Sequence, residues 1–294
     1  QIGGDFRLQG VQYNETDSIR KSAFFPMQAD IYSYLKLNNN AGIFTKIGMK
    51  GSSSLSTEYW ALLSNLPQNA WLRIGRTLPN YGLRADDHTS FIRGGNIRKT
   101  RVGLNADYEG LLFRPDGPVP TILELGIPFS PTLEWTASIS TSLINSNEEM
   151  NNITTKLIKR GSFGNEIKYR AGISYMKEDD LNMTGVCGGT SFGDFTWTFA
   201  ADQAQNWNDN STSLAFYDEL AWEITQGIQL IGKYDFFDPK TDWTDGSISR
   251  YTLGAEIYPL NIMEIKIQIR INEVDMDNVT QKDPEYLIQT HLYF

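Results

Sequence analysis

The chain has 294 residues, 40% of them hydrophobic and 21% charged, with a formal net charge of −9 from 26 Lys and Arg against 35 Asp and Glu. That balance, without any basic tract, excludes nucleic acid as a partner, and no run of about 18 apolar residues exists to form a transmembrane helix. The mean hydropathy of −0.37 looks soluble, yet it decides nothing, because a barrel crosses lipid with strands in which only alternate residues are apolar. A single cysteine, Cys187, has no internal disulfide partner and reads as a small residue on a strand.

Period-two alternation recurs along the chain. Phe6 and Leu8 alternate with Asp5, Arg7 and Gln9. Met27, Ala29, Ile31, Ser33, Leu35 and Leu37 oppose Gln28, Asp30, Tyr32, Tyr34 and Lys36, and Asn38-Asn39-Asn40 turns the chain into Ile43, Thr45, Ile47 and Met49 against Phe44, Lys46, Gly48 and Lys50. Strands are predicted over 57–65 and 70–77, joined by Leu66-Pro67-Gln68-Asn69. A long connection over about 78–99 follows, then a strand in which Val102, Leu104, Ala106, Tyr108 and Leu112 oppose Arg101, Asn105, Asp107 and Glu109. Prolines 115, 118, 120, 128 and 131 interrupt the next stretch, so 113–131 is predicted as a connection with room for one short strand.

From residue 132 the pattern is cleaner. Leu133, Trp135, Ala137, Ile139 and Leu143 oppose Glu134, Thr136, Ser138, Ser140 and Ser142; Ile167, Tyr169, Ala171, Ile173 and Tyr175 oppose Glu166, Lys168, Arg170 and Ser174; Phe195, Trp197 and Phe199 oppose Thr196 and Thr198. Between Leu214 and Ile224 the apolar face carries Asp218, which at mid-depth in lipid costs about 2 kcal/mol or more, so a bulge or a position near the headgroups is expected there. Met263, Ile265, Ile267, Ile269 and Ile271 against Glu264, Lys266, Gln268, Arg270 and Asn272 is the clearest case. A soluble sandwich would need a second apolar layer over those isoleucines, and no helical segment supplies one; lipid does. Tyr59, Trp71, Trp135, Trp197, Trp222, Tyr251 and Tyr258 fall near predicted strand ends, where interfacial girdles sit.

The chain ends on a strand whose alternate residues Tyr286, Ile288, Thr290, Leu292 and Phe294 make a mostly apolar face. This ending resembles the C-terminal signature of Gram-negative outer-membrane β-barrel proteins of the porin type, which the barrel assembly machinery recognises. The resemblance implies Tyr286, Ile288, Leu292 and Phe294 as the assembly signal. It implies an all-β fold, a transmembrane antiparallel up-and-down β-barrel with short periplasmic turns and longer extracellular loops. It also implies the bacterial outer membrane as location, with a signal peptide removed ahead of Gln1. Counting alternating segments gives about 16 strands, or 14, of roughly 10–12 residues each, in one barrel domain over 1–294.

The inward face then carries Lys46, Asp107, Glu109, Lys168, Arg170, Lys266 and Arg270 among many ionisable groups. These would be costly in a dry core but line water in a barrel of this size. The irregular stretch around 78–99 concentrates Arg76, Arg84, Asp86, Asp87, His88 and Arg93, with Arg101 beyond it. Three readings stand: an extracellular loop whose charges pair with one another, a loop folded into the pore that sets charge selectivity, or a metal site on Asp86, Asp87 and His88 that needs further ligands. Gly75, Arg76, Pro79, Tyr81, Gly82, Leu83, Arg84, Asp86, Asp87 and His88 are also similar to a run found in the porin component of multihaem-cytochrome conduits. No CxxCH motif is present, so no cofactor is expected on this chain.

With His88 and His291 the only histidines, no catalytic pair can be picked out, and an enzyme is not expected. The expected function is an outer-membrane porin, a passive diffusion channel for small hydrophilic solutes or ions, with Arg76, Arg84 and Arg93 favouring anions. The alternative is a structural barrel that anchors or sheathes a partner such as a multihaem cytochrome or a surface assembly. Expected partners are outer-membrane lipid, the assembly machinery, small hydrophilic solutes, and a homotrimer or a periplasmic or surface protein.

Overall fold

The computed structural model describes the chain except residues 17–18, 51–53, 84–89, 94–109, 112–118, 145–147, 165, 208–209, 245 and 277–278. Sixteen strands run β1 (Ile2–Thr16), β2 (Ile19–Lys36), β3 (Ala41–Lys50), β4 (Ser54–Leu66), β5 (Ala70–Arg76), β6 (Thr121–Ser130), β7 (Leu133–Ser140) and β8 (Asn152–Phe163). They continue with β9 (Ile167–Glu178), β10 (Leu181–Phe192), β11 (Phe195–Gln205), β12 (Thr212–Thr225), β13 (Ile228–Asp238), β14 (Ile248–Leu260), β15 (Met263–Met276) and β16 (Val279–Tyr293). Each pairs antiparallel with its neighbours in sequence, and β1 pairs with β16, so the sheet closes and no edge is left unpaired.

The closure is stapled at the termini. Gly4 N donates to Phe294 O at 3.0 Å and Phe294 N donates to Gly4 O at 3.2 Å, while the Gln1 ammonium donates to Tyr34 O at 3.0 Å. Tyr286, Ile288, Leu292 and Phe294 all lie on the outward, exposed face of this last strand and its end.

The termini share one end of the barrel with the short turns at 37–40, 67–69, 131–132, 164–166, 193–194, 226–227 and 261–262. The other end carries the longer connections 77–120, 141–151, 206–211 and 239–247.

Alternation decides which face each residue takes. Along β15, Ile267, Ile269 and Ile271 are 48%, 49% and 41% exposed while Lys266, Gln268, Arg270 and Asn272 are buried against the interior. The same inversion of a soluble protein's pattern holds around the wall: Ile31, Leu35, Ile47, Ile139, Ile173, Leu220, Leu253 and Ile288 stand exposed, and Arg7, Asp30, Glu124, Asp202, Asp235, Arg250 and Glu285 are buried. An apolar exterior on a sheet closed on itself is the structure lipid accepts.

Four local expectations change. The proline-rich stretch holds a full strand, β6, because Pro128 sits at its end where the pairing with β7 shifts between Pro128 and Ser130, so its missing N–H interrupts no continuous ladder. Asp218 has no bulge beside it: its register partners Phe199 and Tyr234 are regular, and the carboxylate faces outward at mid-strand, where Trp197 Nε1 donates to it. A bulge occurs instead on β2, where Leu8 opposite Pro26 and Arg7 opposite Gln28 leave Met27 unmatched. Finally, Trp71 and Tyr258 belong to no girdle, since both turn inward: Trp71 Nε1 donates to Glu134 at 3.4 Å, and the Tyr258 hydroxyl donates to Glu256 at 3.0 Å and Glu264 at 2.9 Å. Outside, stacked Phe192, Phe195 and Trp222 with Phe163 and Tyr169 ring the short-turn end on its β8–β12 side. The strand predicted around 102–112 falls on residues outside the described set, apart from Gly110 and Leu111.

Candidate pore and the loop against its wall

The connection from Thr77 to Pro120 turns back against inward-facing side chains of the wall. At its root, Arg73 on β5 donates to Glu124 at 2.7 Å and to Leu78 O at 3.1 Å, and Glu124 also accepts from Asn80 N at 2.7 Å. Farther along, Gly82 N donates to Ser174 Oγ on β9 at 2.9 Å, and Lys156 Nζ on β8 donates to Gly82 O at 2.6 Å. The Tyr81 hydroxyl and the Arg93 guanidinium converge on Asp202 of β11 at 3.2 Å and 2.8 Å. Ser90 Oγ donates to Asp235 on β13 at 2.6 Å. Five wall strands from β6 to β13 thus hold two pieces of one loop.

Apolar contact completes the seat. Tyr81, Leu83, Phe91, Ile92 and Leu111 form one buried cluster with Met176, Met183, Cys187, Ala200, Ala204, Ala215, Phe237 and Ile248, which the alternation turns inward. Phe91 stacks on Phe237 with centroids 6.2 Å apart, and the Arg250 guanidinium lies over the Phe91 ring, 4.3 Å from its centroid. The wall residues of this cluster are small or apolar among inward positions that are otherwise mostly polar or charged, so the loop has a dry patch to cover. Buried among these, beside the Asp202 carboxylate, the Tyr81 phenol is pushed above its ordinary range and stays a neutral donor.

Two glycines make the path possible. Gly82 adopts φ +49°, and a Cβ there would come 2.2 Å from Arg93 Nη2; Gly110 adopts φ +113°, with Phe91 O 2.2 Å from where its Cβ would be. Arg93 itself is bound by its Nε to Leu83 O and by Nη1 to Ile92 O, so it closes the loop on itself as well as on the wall.

The residues singled out in the sequence are dispersed. Arg93 is buried in this seat, with its charge taken by Asp202. Arg76 ends β5 opposite Tyr59 and Thr121. Arg84, Asp86, Asp87, His88, Arg101, Asp107 and Glu109 lie outside the described residues. Lys46 pairs with Glu58 and lies 3.7 Å from Asp30; Lys266 lies 2.9 Å from Glu256 and 3.4 Å from Glu264; Arg270 donates to Gln268 at 2.6 Å. Lys168 and Arg170 are exposed on the inward face of β9 near the short-turn end. Among the described residues no group of three or more His, Cys, Asp or Glu is placed to hold a metal. His291 sits between carboxylates, 3.2 Å from Asp5 and 3.1 Å from Glu264.

Tyr81, Ser90, Phe91, Glu124, Lys156 and Ser174 were not singled out as site residues. The signal that marks their surroundings is the apolar run on the wrong parity: Met176, Met183, Ala200, Ala204 and Ala215 face inward on strands whose other inward residues are polar.

No family model and no curated protein matches the sequence. Solved structures do match the fold. The anion-selective porin from Comamonas acidovorans superposes with a TM-score of 0.68 at 8% identity, over 100% of this chain and 99% of that one. Salmonella typhi OmpF in complex with daunomycin gives 0.68 at 12% identity over 100% and 97%. The trimer form of in-vitro folded OmpT, an outer membrane protein of Vibrio cholerae, gives 0.62 at 11% identity over 100% and 98%. The chain therefore has the porin fold, built as a closed 16-stranded antiparallel barrel.

Proposed function

We propose that the chain is an outer-membrane porin, a passive diffusion channel for small hydrophilic solutes, with the β5–β6 loop folded inside as its constriction. One observation carries the reading: a closed barrel, apolar outside and charged inside, has Tyr81, Ser90 and Arg93 of that loop fastened to Asp202 and Asp235 of its inner wall. Sixteen strands leave an aqueous bore that side chains alone do not fill, and a loop across it narrows it. Arg84, Asp86, Asp87 and His88 come in sequence between the two anchored pieces, which end at Leu83 and begin at Ser90; they lie outside the described residues and are proposed as constriction residues. The short-turn end faces the periplasm, as in outer-membrane barrels generally.

The proposal includes a preference for anions. Arg93 does not contribute, because Asp202 neutralises it; the support comes from Lys168 and Arg170, which have no ion-pair partner among the described residues, and from Arg84 in the bridging segment. A homotrimer is proposed on the likeness to the trimer form of OmpT. The chain's own loop occupies the β6–β13 side of the interior that a sheathed partner would need, which favours the channel over the sheath.

Swelling of proteoliposomes in isosmotic small sugars tests the channel, and the reversal potential under a potassium chloride gradient tests its selectivity. Swelling with a chloride-favouring potential is the expected result. Absence of swelling with folded protein removes the channel reading; equal permeability of potassium and chloride removes the anion preference alone.

A further inference from the structure

Inward-facing cations in this barrel are generally matched to carboxylates: Lys46 to Glu58, Arg73 to Glu124, Arg93 to Asp202, Lys233 to Glu219 and Lys266 to Glu256. Among the described residues the β8–β9 ladder departs from that rule by setting cation against cation. Near the short-turn end, Arg160 of β8 stands directly opposite Arg170 of β9 in the register, and one rung nearer the turn Ser162 stands opposite Lys168. Like charges directly opposite on one face are destabilising. Arg160 reaches Glu134 at 3.2 Å and remains about half exposed, but among the described residues no carboxylate lies within ion-pair distance of Lys168 or Arg170.

The neighbouring strand leaves room beside them. Arg170 is opposite Gly189 and Lys168 is opposite Ser191, which lies 3.2 Å from Thr196 across the next ladder. The result is a recess of about 630 Å³ with cations on one side and hydroxyl donors on the other. It lies at the opposite end from the longer connections and apart from the loop seat.

We propose that this recess is a binding subsite for a multiply charged oxyanion of the phosphate class. The charge calls for an anion, and the form of the donors selects which kind. Arginine presents a planar fork that matches two oxygens of one phosphate, and lysine adds a point charge. Serine and threonine hydroxyls donate to the oxygens that remain. A halide neutralises charge but offers no set of separate acceptors to these converging donors. The proposal deepens the channel reading by naming the solute class retained at the periplasmic mouth.

Equilibrium dialysis of the folded, detergent-solubilised protein against radiolabelled inorganic phosphate, at constant ionic strength in chloride, tests this without requiring current. Saturable binding is expected in the wild type, weakened at least tenfold in Lys168→Gln/Arg170→Gln. Because both side chains are exposed, the barrel should fold, and Lys168→Gln alone, expected to weaken binding severalfold, serves if the double variant does not. Lys46→Gln, a cation elsewhere on the inner wall, is expected to leave phosphate binding unchanged. Equal affinity in wild type and variants, or the same loss in Lys46→Gln, overturns the subsite. Chloride currents measured on the same preparations report the channel separately: currents without phosphate binding leave the channel standing and remove the subsite, whereas binding without currents does the reverse.

Discussion

Arg93 of the β5–β6 loop and Asp202 of β11, 109 positions apart in sequence, form a buried ion pair at 2.8 Å inside the barrel. The guanidinium is 6% exposed, so losing the carboxylate would strand a charge away from water. Breaking one partner of a buried pair costs about 3–5 kcal/mol, here drawn from the seating of the loop, since the wall ladders do not depend on it. Asp202→Ala is expected to leave a folded, heat-modifiable barrel whose loop is cut by trypsin at Arg93, where the buried wild-type side chain is expected to resist cleavage. Continued protection of Arg93 in the variant would contradict this role.

Gly82→Ala should loosen the same seat by another route. An alanine is strained at φ +49°, and its methyl would collide with Arg93 Nη2. The backbone term alone is about 1 kcal/mol, and the displaced arginine adds to it. Trypsin sensitivity at Arg93 is expected to rise, though less than in Asp202→Ala; a change smaller than assay error would mean that the loop does not depend on this contact.

The barrel was legible in the sequence and the loop seat was not, for one physical reason. Alternation is a local, period-two signal, so the isoleucines of β15 and the aromatic ending announce strands and a lipid-facing side directly. β6 was obscured because Pro128 hides at a register shift that only the pairing reveals. The loop seat depends on which inward residues from β6 to β13 come together, and no spacing along the chain encodes that meeting. Arg93 stood out as a charge in a long loop, but its partner Asp202 could not be read from sequence, so it was expected to act on solutes and is instead tied to the wall. Met176, Met183, Ala200 and Ala204 carried the hint, as apolar residues on the parity otherwise reserved for water.

Face assignment can be checked where the two sides differ most. Ile269 is 49% exposed on the outer surface of β15. Ile269→Arg is expected to lower stability by about 2–4 kcal/mol if the residue meets the bilayer midplane, read from denaturant titrations of folding into vesicles. A loss below about 0.5 kcal/mol would contradict a lipid-facing position at that depth, because surface substitutions in water fall within that range.

Asp218 makes the opposite test. Its carboxylate faces outward at mid-strand with the Trp197 indole as donor. Asp218→Leu replaces a polar group in lipid by an apolar one and is expected to stabilise the barrel by about 1 kcal/mol, the Trp197 N–H losing a partner in the process. The same vesicle titration measures it, and a destabilised variant would mean that this face is covered by something other than acyl chains.

The central claim is that this barrel conducts and that the loop seated on Asp202 narrows it. Single-channel conductance in planar bilayers of potassium chloride, recorded on wild type and on Asp202→Ala, tests both parts at once. Discrete open levels in the wild type and a larger, noisier conductance in the variant are the expected result. Silent bilayers from heat-modifiable, folded wild-type protein would contradict the channel, and identical open levels in the two proteins would contradict the loop as its constriction.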